Sequence, residues 1–341
     1  MNRARPELDA IDFFMLEFHL LNAYLDGEWN NRSILWDLIM HSVKFVKPIS
    51  VVFLAAILFL QGCGAAKKQI LPASLRQPKI GLVLGGGASR GFAHVGVLRA
   101  LEQEKIPIDL IVGTSVGSLI GAIYAANPNS FELEWMAFEL EKDDIFDFSL
   151  LSSRTGPIKG DKLEKFVVKH VKARNIENMK IPFYAVACDL NTGEPVVFDK
   201  GPAEIAVRAS SSIPGVFTPL NIKERIVVDG GVIGSVSPET ARQKGADIVI
   251  VVNIGKSITN YETGNIVQIT LQAIDIMGHR IDQYKNQDAD VLIEPEVGNV
   301  GTMDFSKKKE LMLAGIKAGQ AAIPAIHKAI EDFKAGRLGQ N

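Results

Sequence analysis

From Lys79 onward the chain alternates short apolar runs with longer segments of helical character, and this order constrains the fold more than any other feature. The apolar runs predict strands at Ile80–Leu84, Leu110–Val112, Phe183–Cys188, Ile226–Val228, Ile248–Ile254 and Val291–Ile293. Several of them lack polar alternation, which is typical of strands covered on both faces of a parallel sheet. The intervening segments predict helices at Gly91–Glu104, Val116–Ala126, Asp161–Val171, Glu204–Ser210, Pro238–Lys244 and Ile266–Asn286, with a last helix ending near Lys334. We therefore expect an α/β fold, a three-layer α/β/α sandwich with a mostly parallel central sheet and no second core.

Composition and charge exclude several classes of function. With 47% hydrophobic residues the chain can bury a full core, so wholesale disorder is not expected. The net charge of −2 gives no global basic field, and binding to nucleic acid is therefore not expected. Two cysteines, Cys63 and Cys188, are too few for a disulfide framework or a cysteine-based metal site. The acidic residues at 143, 144 and 147 lack the spacing of a calcium loop, and we expect neither a metal nor a cofactor.

An export signal is predicted near the N-terminus. A basic segment after Met40 is followed by the apolar run Ile49–Leu60 and then by the sequence Gln-Gly-Cys, which ends at Cys63. This order is that of a secretory signal peptide, and the run is shorter than the roughly 20 apolar residues of a transmembrane helix. Residues 60–63 resemble a bacterial lipobox, which implies cleavage before Cys63, lipids on that cysteine and a lipid-anchored location in the bacterial cell envelope, on the outer membrane or the periplasmic face. A membrane-docking or core helix that happens to end in Gly-Cys is the alternative.

These observations divide the chain into five parts. Residues 1–39 precede the signal and are interpreted as a mis-assigned start, with Met40 as the true initiator; a genuine extension is the alternative. Residues 40–62 form the lipoprotein-type signal peptide, and 63–78 form a basic tether drawn to anionic headgroups or a plain solvated linker. Residues 79–334 form the globular domain, and 335–341 form a polar tail.

Residues 113–117 read Gly-Thr-Ser-Val-Gly, a G-x-S-x-G pattern placed between a predicted strand and a predicted helix. That context is the one a nucleophile elbow requires. The turn forces Ser115 into a strained backbone conformation, so small neighbours are needed, and Gly113 and Gly117 meet that need. The helix N-terminus beneath it favours developing negative charge. A helix cap made by a serine between glycines is the alternative.

A glycine-rich loop, residues 85–91 with the sequence Gly-Gly-Gly-Ala-Ser-Arg-Gly, follows the first predicted strand. Backbone N–H groups in such a loop can bind a phosphate or an oxyanion. Counting from Gly85 and Gly87, a dinucleotide fingerprint would need a third glycine where Arg90 stands, and the Gly-Lys-Ser/Thr of an NTPase loop is missing. An oxyanion hole built from Gly85, Gly86, Gly87, Arg90 and Gly91 fits better, with Arg90 holding the loop or a lipid phosphate.

Asp229 begins the sequence Asp-Gly-Gly at the predicted end of a strand. In open α/β sheets, active sites gather at the carboxyl ends of strands. Asp-Gly-Gly also occurs in ordinary turns, so it indicates a catalytic aspartate only together with the Ser115 motif. Together they predict that Ser115 and Asp229 meet in one site.

In this order the three motifs resemble those of the patatin-like phospholipase family, and the match is closest to its bacterial and neuropathy-target-esterase-like branch. Residues 85–98 look like the first block of the family, and residues 206–217, with the sequence Ala-Val-Arg-Ala-Ser-Ser-Ser-Ile-Pro-Gly-Val-Phe, look like its third. The resemblance covers about residues 79–255. Residues 234–238 depart from the Asn or Pro-rich turn that relatives often have there, which bears on the wall of the site.

The resemblance implies a patatin-like hydrolase domain at 79–334 that uses a Ser–Asp dyad and an acyl-serine intermediate. Ser115 would be the nucleophile, Asp229 the base, and the amides of Gly86 and Gly87 the oxyanion donors. His94 is interpreted as a packing or loop-bracing residue, and His279 follows Asp229 without motif context. The expected substrates are phospholipids or lysophospholipids, with membrane contact through the lipid anchor. A small-ester esterase or thioesterase and a non-catalytic lipid-binding envelope protein are the alternatives.

Overall fold

A computed structural model of the chain describes residues 76–147, 156–255, 264 and 266–338. The predicted signal peptide, the lipidation site at Cys63, the stretch 1–39 and most of the tether lie outside these residues. Within the described part of the chain, no helix combines the length and the apolar character needed to cross a bilayer.

One eight-stranded sheet forms the centre of the fold. Its strands are β1 (Ile80–Leu84), β2 (Leu110–Thr114), β3 (Phe183–Asp189), β4 (Pro195–Phe198), β5 (Leu220–Ile222), β6 (Arg225–Asp229), β7 (Ile248–Val252) and β8 (Val291–Ile293). Their order is β5-β6-β3-β2-β1-β7-β8, with β4 also paired to β3. The pairs among β3, β2, β1, β7 and β8 are parallel, whereas β4, β5 and β6 join antiparallel. All six predicted strands are present, and the two that were not predicted, β4 and β5, are short and largely unburied.

Helices cover both faces of the sheet, which confirms the predicted α/β/α sandwich. They are α1 (Phe92–Gln103), α2 (Val116–Ala126), α3 (Ser130–Glu139), α4 (Lys142–Ile145), α5 (Asp161–His170), α6 (Ala203–Ser210), α7 (Pro238–Gln243), α8 (Ile266–Lys285) and α9 (Lys308–Lys334). Successive β1 side chains enter different cores: Leu82 packs with α1, α2 and α9, and Val83 packs with α7. This alternation follows from the pleat of the strand.

Besides β4, strand β3 pairs with two further strands in succession along its length. Its residues 183–186 run parallel to β2, and residues 187–189 run antiparallel to β6. In this register Thr114 pairs with Val186, and Asp229 pairs with the next residue, Ala187. Because Ser115 follows Thr114 directly, β3 makes the predicted nucleophile and the predicted base neighbours.

Candidate active site

The turn between β2 and α2 carries Ser115 in a strained conformation. Its backbone angles φ and ψ are 53° and −125°. Residues other than glycine rarely adopt a positive φ of this size. A Cβ at Gly117 would lie 2.1 Å from the carbonyl oxygen of Leu84, and one at Gly113 would lie 2.5 Å from that of Gly117. The structure therefore has the geometry of a nucleophile elbow, and close backbone contact explains both flanking glycines.

Asp229 ends β6 with its side chain almost completely buried, at 4% exposed. Its Oδ1 atom accepts a hydrogen bond of 2.7 Å from the N–H of Gly231. Burial raises the pKa of the carboxyl to about 6, against smaller opposing effects of the Ser115 hydroxyl and the Gly231 amide. A carboxyl with this pKa is a far better base than an exposed aspartate at neutral pH.

The hydroxyl of Ser115 is near enough to Asp229 to lower the pKa of its carboxyl. The Oδ2 atom of Asp229 nevertheless accepts no hydrogen bond of ordinary geometry within the described residues. The contact between the two side chains is therefore a loose one, and catalytic hydrogen bonds often tighten only when substrate is bound.

A buried histidine braces the glycine-rich loop. His94, in the first turns of α1, donates a hydrogen bond of 2.8 Å from Nε2 to the carbonyl oxygen of Gly85. Burial lowers the pKa of His94 to about 4, despite the opposing effect of that carbonyl, so the ring is neutral at neutral pH. This confirms its interpretation as a bracing residue. A Cβ at Gly91 would meet the Val116 side chain at 2.2 Å, so the loop also packs closely on α2.

The amides of the loop correct one sequence expectation. The N–H of Gly86 donates to the carbonyl oxygen of Ser235 at 2.9 Å, so it is already bonded and does not point free into the site. By contrast, no described group accepts a hydrogen bond from the N–H of Gly87 or of Ala88. Both residues line the same cavity as Ser115. Of the two amides predicted as oxyanion donors, that of Gly87 is therefore available and that of Gly86 is not, and the amide of Ala88 is a further available donor.

Arg90 holds the loop in place. Its Nε donates a hydrogen bond of 3.0 Å to the carbonyl oxygen of Ile254, and its Nη2 lies 3.9 Å from Oδ1 of Asp275 on α8. The side chain is buried, with 3% of the residue exposed. Of the two roles considered for Arg90, these contacts favour the support of the loop over the capture of a lipid phosphate.

The serines at the C-terminal end of α6 and just after it hold both the nucleophile and the base, a role that could not be predicted from the sequence. Ser210 Oγ accepts a hydrogen bond of 2.9 Å from the N–H of Ser115 and donates one of 2.6 Å to the carbonyl oxygen of Val186 on β3. Two residues later, the carbonyl oxygen of Ser212 accepts from the N–H of Asp229 at 3.0 Å. The Ala-Ser-Ser-Ser run is thus a positioning element for both reacting side chains.

Replacing Ser210 with alanine should lower kcat about tenfold or more while leaving KM nearly unchanged. The change leaves the N–H of Ser115 and the carbonyl of Val186 without their shared partner in a buried place, so the strained elbow can relax. Steady-state kinetics on one ester substrate measure this split. Ser210→Thr, which keeps the hydroxyl, is the matched control, and equal kcat values for the alanine variant and the unmutated protein would contradict the positioning role.

Helix α8 forms one wall of the site. Its residues Leu271, Ile274, Asp275, Gly278, His279 and Asp282 line the cavity that also contains Ser115 and Asp229. Asp282 accepts a hydrogen bond of 2.8 Å from the N–H of Ser235, the residue that also binds Gly86. His279, predicted only as a residue after Asp229, thus stands in the site wall, where it accepts from the side-chain amide of Gln283 at 3.2 Å. Among the described residues no group of three or more metal-ligating side chains occurs.

Comparison with known proteins finds a similarity over the part of the chain that contains the three motifs. Residues 82–241 match the family described as patatin-like phospholipase. This similarity covers slightly less than half of the chain. The predicted resemblance is thereby confirmed, and the matched range contains the glycine-rich loop, Ser115 and Asp229.

Individual relatives share this domain. A patatin-like phospholipase domain-containing protein of Caenorhabditis elegans is 31% identical over 294 residues, which are 76% of this chain and 21% of that protein. An uncharacterized NTE family protein of Mycobacterium bovis is 33% identical over 191 residues, 54% of this chain and 53% of that one. Among solved structures, VipD from Legionella pneumophila superposes with a TM-score of 0.51 at 14% identity, covering 76% of this chain and 67% of that chain. The match thus spans only a fifth to a half of these sequence relatives, and the likeness to VipD concerns the fold alone.

Proposed function

We propose that the patatin-like domain is a serine lipid acyl hydrolase, a phospholipase or lysophospholipase that works through a Ser115–Asp229 dyad. The observation that carries this proposal is the pairing of β2 and β6 on β3, which places a serine in a strained elbow beside a buried carboxyl of raised pKa. Such a combination has little structural use and suits acyl transfer.

The proposed cycle has two halves. Ser115 Oγ attacks the ester carbonyl as Asp229 takes its proton, and the amides of Gly87 and Ala88 stabilise the oxyanion. The intermediate collapses to an acyl-serine while Asp229 returns the proton to the departing alcohol. Asp229 then takes a proton from water, and the hydroxide attacks the acyl-serine. Collapse releases the fatty acid as Asp229 returns that proton to Ser115 Oγ. A single oxyanion donor of this kind is typically worth about 3–4 kcal/mol.

The test is release of fatty acid from mixed phospholipid and lysophospholipid vesicles, with the products identified by mass. The unmutated chain should release fatty acid, and Ser115→Ala, which keeps the fold but lacks the nucleophile, should not. Retained release by Ser115→Ala would contradict the mechanism.

Two alternatives remain separable in the same experiment. Hydrolysis confined to soluble short esters or thioesters would favour a small-ester esterase or thioesterase, which would use the same residues. No release from any lipid or ester, with vesicle binding intact, would favour a non-catalytic lipid-binding protein. Replacing His279 with alanine distinguishes the dyad from a triad, because a dyad enzyme should keep its pH dependence without that ring.

We also propose that the chain is lipid-anchored at Cys63 in a bacterial cell envelope, on the outer membrane or the periplasmic face. The support is the lipobox-like sequence at residues 60–63 after an apolar run. Metabolic labelling with a radioactive fatty acid should mark the unmutated chain and not Cys63→Ser. Labelling that persists in that variant would contradict the anchor.

A further inference from the structure

Helix α8 presents its inner face to the active site. The side chains of Leu271 and Ile274, with Gly278 one turn on, line the cavity around Ser115. Their spacing of three, four and seven residues is that of a single helical stripe. Through this face, α8 packs against the rest of the domain.

The outer face of α8, which we define by Ile269, Ile276, Met277, Arg280 and Tyr284, is also apolar. These positions lie on the opposite side of the helix from the inner stripe, because residues seven and four apart share one face. Ile269 is 52% exposed, Met277 56% and Tyr284 74%. A helix of a soluble domain ordinarily has one apolar stripe, and a second one turned to solvent marks an interaction surface.

The charge on this outer face has one sign. The acidic residues of α8 turn toward the protein, where Asp275 approaches Arg90 and Asp282 binds Ser235. Lys285 is likewise engaged, 2.8 Å from Glu239. Arg280 is therefore the one charged side chain on the outer face. A cation among apolar side chains, with an exposed tyrosine at the end of the helix, complements an anionic phospholipid surface.

The cavity beneath α8 is too small for a lipid acyl group. Its volume is about 90 Å³, whereas pockets for ordinary organic ligands have roughly 300–1,000 Å³. Outward movement of the wall formed by α8 would give an acyl chain the room at Ser115 that this cavity lacks.

We propose that the outer face of α8 docks on anionic phospholipid bilayers, and that docking displaces the helix so that an acyl chain enters. The inference rests on the proposed function, since only an enzyme with membrane substrates gains from opening there. Docking on the bilayer supplies the differential binding energy that the displaced helix needs. In this proposal the same helix, α8, carries both the surface that contacts the bilayer and the wall that narrows the active-site cavity.

The test compares two substrates and three variants of the full chain, all carrying Cys63→Ser so that a lipid anchor does not contribute to vesicle binding. The substrates are vesicles of phosphatidylglycerol and phosphatidylcholine, and a soluble monomeric short-chain ester. Met277→Glu puts a charge into the docking face and should raise the vesicle concentration for half-maximal rate about tenfold. It should leave kcat/KM for the monomeric ester within a factor of about two. Arg280→Gln should weaken the preference for phosphatidylglycerol over phosphatidylcholine. Phe131→Glu on α3, 74% exposed and away from the cavity, is the matched control and should change neither rate.

Equal loss on both substrates with Met277→Glu, or no loss on vesicles, would overturn the docking surface. The experiment also separates this inference from the proposed function. If the unmutated chain hydrolyses neither substrate, flotation with phosphatidylglycerol vesicles is compared between Ser115→Ala and the double variant that adds Met277→Glu. An about tenfold difference in binding supports the docking face without catalysis, and equal binding overturns it.

Discussion

Asp229→Asn should leave a protein that is more stable at neutral pH and about 10²–10⁴-fold slower, the usual contribution of a general base. The asparagine has nearly the shape of the aspartate, so its oxygen can still accept from the N–H of Gly231. What disappears is the ionised carboxylate that takes the proton of Ser115. Steady-state kinetics and thermal unfolding of the same preparations measure the two effects.

The sign of the stability effect follows from the pKa of Asp229. Burial raises the folded-state pKa from 3.8 to about 6, so between these values the folded protein holds a proton that the unfolded chain has lost. Stability from this group is therefore greatest below pH 4 and falls as the pH rises through 6. The penalty above pH 6 is about 3 kcal/mol at most. Asp229→Asn cannot ionise, so its advantage should be absent at pH 4 and near its maximum at pH 7.5.

The pH–rate profile gives an independent check on the same carboxyl. In the unmutated protein kcat/KM should rise with pH through a midpoint near 6, as Asp229 loses its proton and becomes a base.

Asp247→Asn is the matched control for the stability measurement. Its carboxyl binds Arg76 and the N–H of Lys79, which hold its pKa below the ordinary value against the effect of burial. Replacing it should therefore destabilise at neutral pH, and equal behaviour of the two variants would contradict the assignment.

The sequence predicted that Ser115 and Asp229 meet because both stand at the ends of apolar runs, and the carboxyl ends of parallel strands gather at one edge of a sheet. The two residues do meet, but for another reason, since β6 runs antiparallel to β3 and ends beside the end of β2. The sequence could not give the hydrogen bond between Gly86 and Ser235, since it depends on how two loops of distant sequence touch. The amide of Gly86 was consequently predicted as an oxyanion donor although Ser235 already binds it, whereas the amide of Gly87, predicted beside it, stays available. The role of Ser210 was hidden for the same reason, because its two partners are backbone groups of other elements.

Helices were missed or incompletely interpreted where periodicity is ambiguous. The segment Ile266–Asn286 was predicted as a helix, but apolar residues on both of its faces do not reveal which side meets the site. Helix α3 was not predicted, although its N-terminus carries a readable sign. Asn129 accepts a hydrogen bond of 3.0 Å from the N–H of Glu132, and its own side-chain amide binds the Glu132 carboxylate. An Asn followed three residues later by Glu is close to the pattern of a capping box.

Gly117→Ala should cost the protein about 3 kcal/mol or more of folding stability and lower kcat at least about 100-fold. The added methyl would lie 2.1 Å from the carbonyl oxygen of Leu84 and 2.8 Å from that of Gly85, and backbone atoms cannot rotate away as a side chain would. The first turn of α2 must then move away from β1 and the glycine-rich loop. Because Ser115 stands at that turn, its Oγ shifts relative to the oxyanion donors, and a displacement near 1 Å is worth about 10² in rate.

Gly278→Ala is the matched control for Gly117→Ala. It separates the steric clash of the added methyl at residue 117 from the general effect of replacing a glycine with alanine. Its added methyl would have the nearest neighbour at 3.8 Å, the carbonyl oxygen of Gly231, which is ordinary contact. Inside α8 the alanine should stabilise by up to about 1 kcal/mol. Urea unfolding of both variants gives the comparison, and a stable, fully active Gly117→Ala protein would contradict the elbow geometry. Gly117 has no positive φ, unlike Ser115 two residues earlier. The glycine is therefore required by the approach of two backbones, whereas the strain of the turn is carried by the nucleophile itself.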